Sequence, residues 1–196
     1  MEELIVVTLI ITSIVSLTFI IERGLALRLA HVIPPVVKQA QQDCRTPEQV
    51  ESMRAICQSN PSPLSNLLLT AADNLKRPRE EMVGALESRA RNEVVRLERG
   101  LVLLEIATGI APLLGLVGTV MGLIKLFAAM SSATGDQGKF AEGIALALNA
   151  TLMGLIIAIP SLIAWSYYNK KVETLTIEME TQCDEFIRRQ YRQMEQ

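Results

Sequence analysis

Histidine, aromatic residues and the usual components of catalytic sites are scarce in this chain. It has one histidine in 196 residues, and aromatic residues make up 4% of it. His31 has no partners at metal-ligand spacing, and no serine has a suitable histidine and carboxylate. The glycine-rich run 115–125 (GLVGTVMGLIK) lacks the Gly-Lys-Ser/Thr ending of a phosphate-binding loop. We therefore predict that the protein is not an enzyme and binds neither a metal nor a cofactor.

Excess charge and paired cysteines are also missing. The 19 basic and 21 acidic residues give a net charge of -2, and no basic run is interleaved with aromatic residues, which argues against a nucleic-acid partner. Cys44, Cys57 and Cys183 are too far apart for a Cys-x-x-Cys redox motif. We expect reduced, structural thiols.

Long hydrophobic runs are what the chain does have, since 49% of its residues are hydrophobic and 20% are charged. Three windows, 4–21, 106–124 and 143–169, carry no charged residue. Each is long enough to cross the hydrocarbon core of a bilayer, although a buried core helix is an alternative reading of each. The composition favours an all-α membrane protein with three transmembrane helices.

The orientation follows from the distribution of charges. Of the 19 Lys and Arg residues, 12 lie between Arg23 and Arg99 and five lie after Tyr168. By the positive-inside rule the N-terminus faces outward, and the 22–100 segment and the C-terminal tail are cytoplasmic. The first window could be a signal peptide, but the acidic Glu2-Glu3 and the lack of a small-x-small cleavage site favour a retained anchor.

Several helices are predicted outside the apolar windows. The first helix should continue to Pro34-Pro35, which stops it. Thr46-Pro47-Glu48-Gln49 resembles a capping box that opens a short helix, and 64–75 forms another. From Pro78 the helical pattern runs into the second span with Gly84 and Gly100 as its weak points, which predicts one long cytoplasmic rod.

The C-terminal tail has an apolar stripe and predicts a second rod. Its stripe is more typical of structural packing than of a docking surface. Its members recur at threes and fours: Val172, Leu175, Met179, Cys183 and Phe186.

The resulting boundaries are 1–21 for the periplasmic N-terminus and first transmembrane helix, 22–100 for a cytoplasmic helical segment, 101–130 for the second transmembrane helix, 131–139 for a periplasmic connection, 140–169 for the third transmembrane helix and 170–196 for a cytoplasmic helix.

Small residues form one stripe on each of the last two spans. In lipid, helices associate through close backbone contact and polar bonds, because burial of apolar surface contributes little there. The two stripes therefore predict tight packing within or between subunits. Their members are Ala111, Gly115, Gly118 and Gly122 on the second span, and Ala147, Thr151, Gly154 and Ala158 on the third. Pro112 removes a hydrogen bond to the carbonyl of Thr108, which the Thr108 hydroxyl or water could compensate.

Polar residues deep in the apolar runs indicate a function beyond packing. Thr119 lies in the second span, and Asn149 and Thr151 lie in the third. Polar groups at that depth face protein or water, which predicts a polar seam through the assembly. The spans carry no carboxylate near their middle, because Glu105 and Glu142 stand at the edges. A partner helix would then supply the titrating group of an ion path.

The sequence resembles the MotA/TolQ/ExbB proton-channel family, and in particular its ExbB/TolQ branch. FIIERGLALRLAHVIPP (19–35) resembles the first-helix exit of that branch, and NPSPLSNLLL (60–69) resembles its cytoplasmic segment. LEIATGIAPLLGLVGTVMGLIKLF (104–127) and GIALALNATLMGLIIAIPSLIAWSYYN (143–169) resemble the two channel-lining spans. The motifs arrive in the family order.

The resemblance implies a pentameric ring in the bacterial inner membrane. The ring would enclose helices of an ExbD/TolR-like single-span partner with a membrane aspartate, and ion flow would drive work on a TonB- or TolA-like periplasmic protein. By motif match Thr119 and Thr151 would be the pore-lining threonines. Pro112 and Pro160 would be the family's helix-shaping prolines.

One position departs from the resemblance. Leu146 stands where ExbB and TolQ usually have a membrane glutamate, and Asn149 replaces a common aliphatic residue. The ion is therefore left open, since Asn and Thr oxygens suit a sodium path as well as a proton path. A MotA-like flagellar stator and a non-conducting membrane scaffold stay as alternative functions.

Overall fold

The computed structural model describes residues 2–44, 46, 49–130 and 137–194. This part of the chain contains helices and no strand. The helices are α1 (Glu2–Ala26), α2 (Leu29–Val32), α3 (Pro35–Asp43), α4 (Gln49–Ser59), α5 (Pro63–Asn74), α6 (Arg79–Glu98), α7 (Leu101–Met130) and α8 (Gln137–Met194). The fold class is therefore all-α, as the sequence predicted.

Three of the helices are long and apolar enough to cross a membrane. Their candidate spanning ranges are Leu4–Ala26, Leu101–Ala128 and Ala141–Gln193. Large aliphatic side chains on them are exposed, for example Leu4 at 68% and Ile163 at 65%. Contiguous apolar surface of this kind is stable against lipid rather than water. The prediction of a membrane protein with three transmembrane helices is confirmed.

The chain divides into two compact units, which we call the membrane unit and the second unit. The membrane unit comprises Met1–Arg23 and Gly100–Tyr167, and the second unit comprises Gly24–Arg99 and Tyr168–Gln196.

Within the membrane unit, the N-terminal half of α1 packs against α7 and α8. Ile5 and Leu9 share a buried cluster with three α7 and α8 residues. These three are Ala111, Ile157 and Ala158. Further along α1, the buried hydroxyls of Ser16 and Ser161 lie 2.5 Å apart. Since the α1 and α8 contacts advance together along both helices, α1 and α8 run parallel.

A break separates α6 from α7, so the single rod predicted from Pro78 into the second span is interrupted. α6 ends at Glu98 and α7 begins at Leu101. Gly100 has φ +93°, and a Cβ there would lie 3.0 Å from the ring of Phe19 and from Nε of Arg23. This conformation favours glycine, and a larger residue would require the side chains of Phe19 or Arg23 to move by a few tenths of an ångström. The helical periodicity could not reveal this local turn.

The first helix also ends earlier than the prolines indicated. α1 stops at Ala26, short of Pro34, and the single turn α2 follows it. α3 then begins with Pro35 at its first helical position, where the missing N–H has no intrahelical role. Pro35 therefore starts a helix that the sequence analysis did not predict.

The two short helices lie close to their predicted positions. Ser62 caps α5, since the Ser65 N–H donates to its hydroxyl over 3.1 Å. The Thr46 N–H donates to Oε1 of Gln49 over 3.1 Å at the start of α4, which is one half of a capping box. Pro47 and Glu48 lie outside the described residues.

In the second unit, the last part of α8 is the core element. The whole predicted stripe of the tail is buried, with Phe186 fully inaccessible, which confirms its packing role. α3 lies along this part of α8. Nζ of Lys38 is 2.8 Å from Oε1 of Glu178, and the Gln41 amide donates to the Gln182 carbonyl over 3.0 Å.

A buried carboxylate joins α6 to α5 in the same unit. Glu93 is 2% exposed, and its Oε1 accepts from the Asn66 amide over 3.0 Å. The same oxygen lies 3.0 Å from Nη2 of Arg89, and Oε2 lies 3.5 Å from Nη1 of Arg96. A buried charge with a full set of partners fixes the packing of the helices that carry it.

Glu93→Leu should destabilise the purified protein by about 1–3 kcal/mol, because the Asn66 and Arg89 donors lose their acceptor. The readout is thermal unfolding in detergent micelles, followed by circular dichroism. Glu87→Leu, on an exposed position of the same helix, is the control and should change stability by less than about 0.5 kcal/mol. Equal effects of the two substitutions would contradict the assigned role of Glu93.

The cysteine thiols outside the membrane should react slowly. Burial raises the pKa of the Cys57 thiol from 9.0 to about 11, and burial also raises the pKa of Cys44. The reactive thiolate of Cys57 is then about a hundredfold less populated at pH 8 than that of a thiol with the pKa of 9.0. The rate of maleimide labelling should stay low until the pH approaches 11. A Cys57 that labels at pH 8 as fast as an exposed Glu87→Cys thiol would contradict this.

Candidate functional site

Glycines bring the backbones of α7 and α8 into direct contact. A Cβ on Gly115 would lie 2.8 Å from the carbonyl oxygen of Ala150, and one on Gly154 would lie 2.5 Å from that of Ala111. Gly118 and Gly122 face Ala150 and Ala147 in the same way: Gly118 would place a Cβ 2.6 Å from the methyl of Ala150, and Gly122 one 2.9 Å from that of Ala147. Both small-residue stripes therefore lie in one interface.

This contact places the hydroxyls of Thr119 and Thr151 together. The two oxygens are hydrogen-bonded to each other across the interface. The carbonyl oxygen of Gly115 lies 3.1 Å from Oγ1 of Thr119 and 3.2 Å from Oγ1 of Thr151. Oγ1 of Thr119 is also 3.3 Å from the carbonyl oxygen of Ala147. Both side chains are half-buried.

The protons of this hydroxyl pair are all engaged inside the subunit. Each Thr hydroxyl has one proton and two lone pairs. One hydroxyl donates to the other, and the second donates to a backbone carbonyl of Gly115 or Ala147. Among the residues that the structure describes, none donates to the remaining lone pairs. The pair therefore presents acceptor oxygens, which suit a water, a protonated carboxyl group or a cation, and it repels a carboxylate.

Asn149 is not part of this pair. It is exposed and lines a separate cavity, of about 870 Å³, with residues of α1, α7 and α8 that include neither threonine. The reason is helical geometry, since Asn149 and Thr151 are two residues apart and point to nearly opposite sides of α8. The single polar seam expected from the sequence is therefore divided into two places. The side chain of Leu146 lies outside the described residues.

The two prolines lie within their helices without a direct role in the pair. Pro112 is half-buried in α7 and Pro160 is exposed in α8. The Thr108 hydroxyl donates to the Leu104 carbonyl over 2.9 Å, one turn back along its own helix. It is therefore bonded back to its own helix and does not replace the N–H that Pro112 lacks at the Thr108 carbonyl.

Two backbone carbonyls belong to the site although the sequence analysis missed them. Those of Gly115 and Ala147 are the acceptors of the threonine hydroxyls. Gly115 stands one turn before Thr119, which is the usual spacing of a Thr bond to its own helix. The role of Ala147 depends on how α7 and α8 pair, which the sequence does not specify.

Known proteins with similar sequences agree with this architecture. The model of the MotA/TolQ/ExbB proton channel family matches residues 59–181. "Putative biopolymer transport protein ExbB-like 1" of Synechocystis is 33% identical over 168 residues, which cover 80% of this chain and 63% of that protein. The "Putative biopolymer transport protein ExbB homolog" of Methanothermobacter thermautotrophicus is 31% identical over 140 residues, covering 71% of this chain and 50% of that protein.

A Tol-Pal relative is similar along nearly the whole chain. The "Tol-Pal system protein TolQ" of Pseudomonas aeruginosa is 26% identical, with coverage of 94% of this chain and 85% of that protein. The chain spans only 50% and 63% of the length of the two ExbB-type relatives named above.

The fold and the site define a helical membrane protein with a hydroxyl pair between two tightly packed spans. The chain belongs to the MotA/TolQ/ExbB proton channel family, and its relatives place it in the ExbB/TolQ branch.

Gly154→Ala should destabilise the membrane unit by about 1–3 kcal/mol, because the new methyl group would overlap the α7 backbone at Ala111. Gly109→Ala is the matched control, since nothing lies within 4 Å of the added Cβ. The control should be neutral or stabilising by up to about 1 kcal/mol through helix propensity. Thermal unfolding in one detergent compares the two, and equal Tm values would refute the contact.

Proposed function

We propose that this protein is the inner-membrane wall subunit of an ion-driven motor. Together with an ExbD/TolR-like partner, it converts ion motive force into work on a TonB- or TolA-like periplasmic protein. The ion is a proton or sodium. The names of the relatives support this role, since they refer to biopolymer transport and to the Tol-Pal system.

The carrying observation is the Thr119–Thr151 pair. Its spare lone pairs accept a hydrogen bond from a protonated carboxyl group but offer no proton to a carboxylate. A partner aspartate next to the pair would therefore be held more favourably when protonated. A group whose neighbours favour the neutral form has a raised pKa, which suits a carboxyl that must take up a proton inside a membrane.

A partner carboxylate is needed because the described spans contain none near their middle. Glu105 and Glu142 stand near the ends of the apolar stretches. This subunit supplies acceptor oxygens and a close-packed wall, and the partner supplies the titrating group. The working assembly is then a homo-oligomer, a pentamer in the family pattern, around the partner helices. The N-terminus is periplasmic, and 22–100 and 170–196 are cytoplasmic.

Thr119→Val and Thr151→Val should each lower ion flux by roughly two- to tenfold, since a hydrogen bond between neutral groups contributes about 0.5–1.5 kcal/mol. Flux is measured in proteoliposomes containing the complex purified with its native partner, with a proton-sensitive and a sodium-sensitive dye. Thr119→Ser and Thr151→Ser keep the hydroxyl and should retain flux.

Thr12→Val is the matched control, because the Thr12 hydroxyl donates only to the Thr8 carbonyl of its own helix. It should leave flux unchanged. Normal flux in both Thr119→Val and Thr151→Val would remove the pair from the ion path. Absence of flux in the unmodified complex would favour the scaffold function, and co-purification with flagellar components would favour a MotA-like stator.

A further inference from the structure

A cavity in the membrane unit lies apart from the threonine pair and has no role in the proposed function. It is a half-open cavity lined by α1, α7 and α8, with a volume of about 870 Å³. Its lining changes character along the helices. Lys125 stands at one end, Asn149 comes next, and apolar residues such as Ile5, Leu9 and Met153 follow.

The helix contacts fix the order of these groups along the membrane normal. Gly122 faces Ala147 and Gly118 faces Ala150, so Lys125 lies about five residues beyond the level of Asn149. At 1.5 Å per residue, Asn149 is about 7 Å deeper in the membrane than Lys125. Each interfacial layer of a bilayer is about 5–7 Å thick. With the Lys125 ammonium at the outer edge of that layer, the Asn149 amide lies at its inner edge.

We propose that this cavity binds an anionic glycerophospholipid. The phosphate contacts the Lys125 ammonium, the Asn149 amide donates to an ester carbonyl, and one acyl chain lies against Ile5, Leu9 and Met153. Among the described residues of the lining, Lys125 is the one with a charge, which gives the cavity a cationic end and an apolar interior. A phospholipid carries complementary groups in the same order: a phosphate, then an ester carbonyl, then an acyl chain.

The Asn149 side chain provides the second line of evidence. It is exposed at a level that we place where the interfacial layer meets the hydrocarbon, and its amide has no hydrogen bond to another described residue. An amide that meets only hydrocarbon there is unfavourable, because it gives up the hydrogen bonds that it makes in water. An ester carbonyl removes that penalty, whereas an acyl chain or an apolar helix face does not.

The experiment uses the full-length protein with its co-purified partners in nanodiscs of phosphatidylglycerol and phosphatidylcholine in equal amounts. A diazirine photo-crosslinking amino acid replaces Met153, which lines the cavity. In a second sample it replaces Leu152, which is 54% exposed and outside the lining. Mass spectrometry identifies what each position captures.

Position 153 should capture phosphatidylglycerol with about fivefold enrichment over its share of the bilayer, the effect of one lysine near an anionic lipid. Position 152 should capture both lipids in their bulk ratio. Lys125→Gln and Asn149→Leu should each reduce the enrichment at 153, and Lys170→Gln, beyond the apolar span, should not.

Capture of a protein chain at 153, capture in the bulk ratio, or enrichment that survives both cavity substitutions would overturn the proposal. The crosslinking experiment does not measure ion flux. A negative result would therefore overturn the lipid site and leave the proposed ion path unaffected.

Discussion

The direct backbone contact between α7 and α8 is the constraint on which the rest of the membrane unit depends. Hydrocarbon surrounds these helices, so apolar burial does little to hold them together. At Gly115 and Gly154 no side chain separates the two backbones. The helices come close enough there for two threonine hydroxyls to hydrogen-bond to each other and to reach carbonyl oxygens of both helices.

That contact also determines what the hydroxyls can do. Because both hydroxyls have acceptors within the subunit, the pair presents acceptor oxygens to a partner. An acceptor site in a dry environment favours a neutral acid over its anion, since an unpaired charge is costly to bury. The same close contact leaves space beside α1, where the cavity with Lys125 and Asn149 lies. Polar groups therefore occur in two separate places within the membrane unit, with different chemistry at each.

The second unit is held by burial outside the membrane and by specific polar bonds. Its α8 stripe is buried as the heptad-like spacing predicted, whereas Glu93 is buried against the expectation for a charged residue on a helix surface. Asn66, from α5, supplies the partner that makes this burial tolerable. The sequence alone does not distinguish Glu93 from the other charged residues of α6, because its acceptor role depends on a residue of another helix.

The sequence by itself determined the class, the three spans and the two threonines, because long apolar runs and isolated polar residues within them have few other physical explanations. It also placed α4 through a capping box and α5 after the run Asn60-Pro61-Ser62-Pro63. It did not determine the early end of α1 or the helix α3, and it did not determine the break at Gly100, where the backbone lies against Phe19 and Arg23. Only the tertiary structure separated Asn149 from the threonines, because the pairing of α1, α7 and α8 decides which side of each helix faces its neighbours.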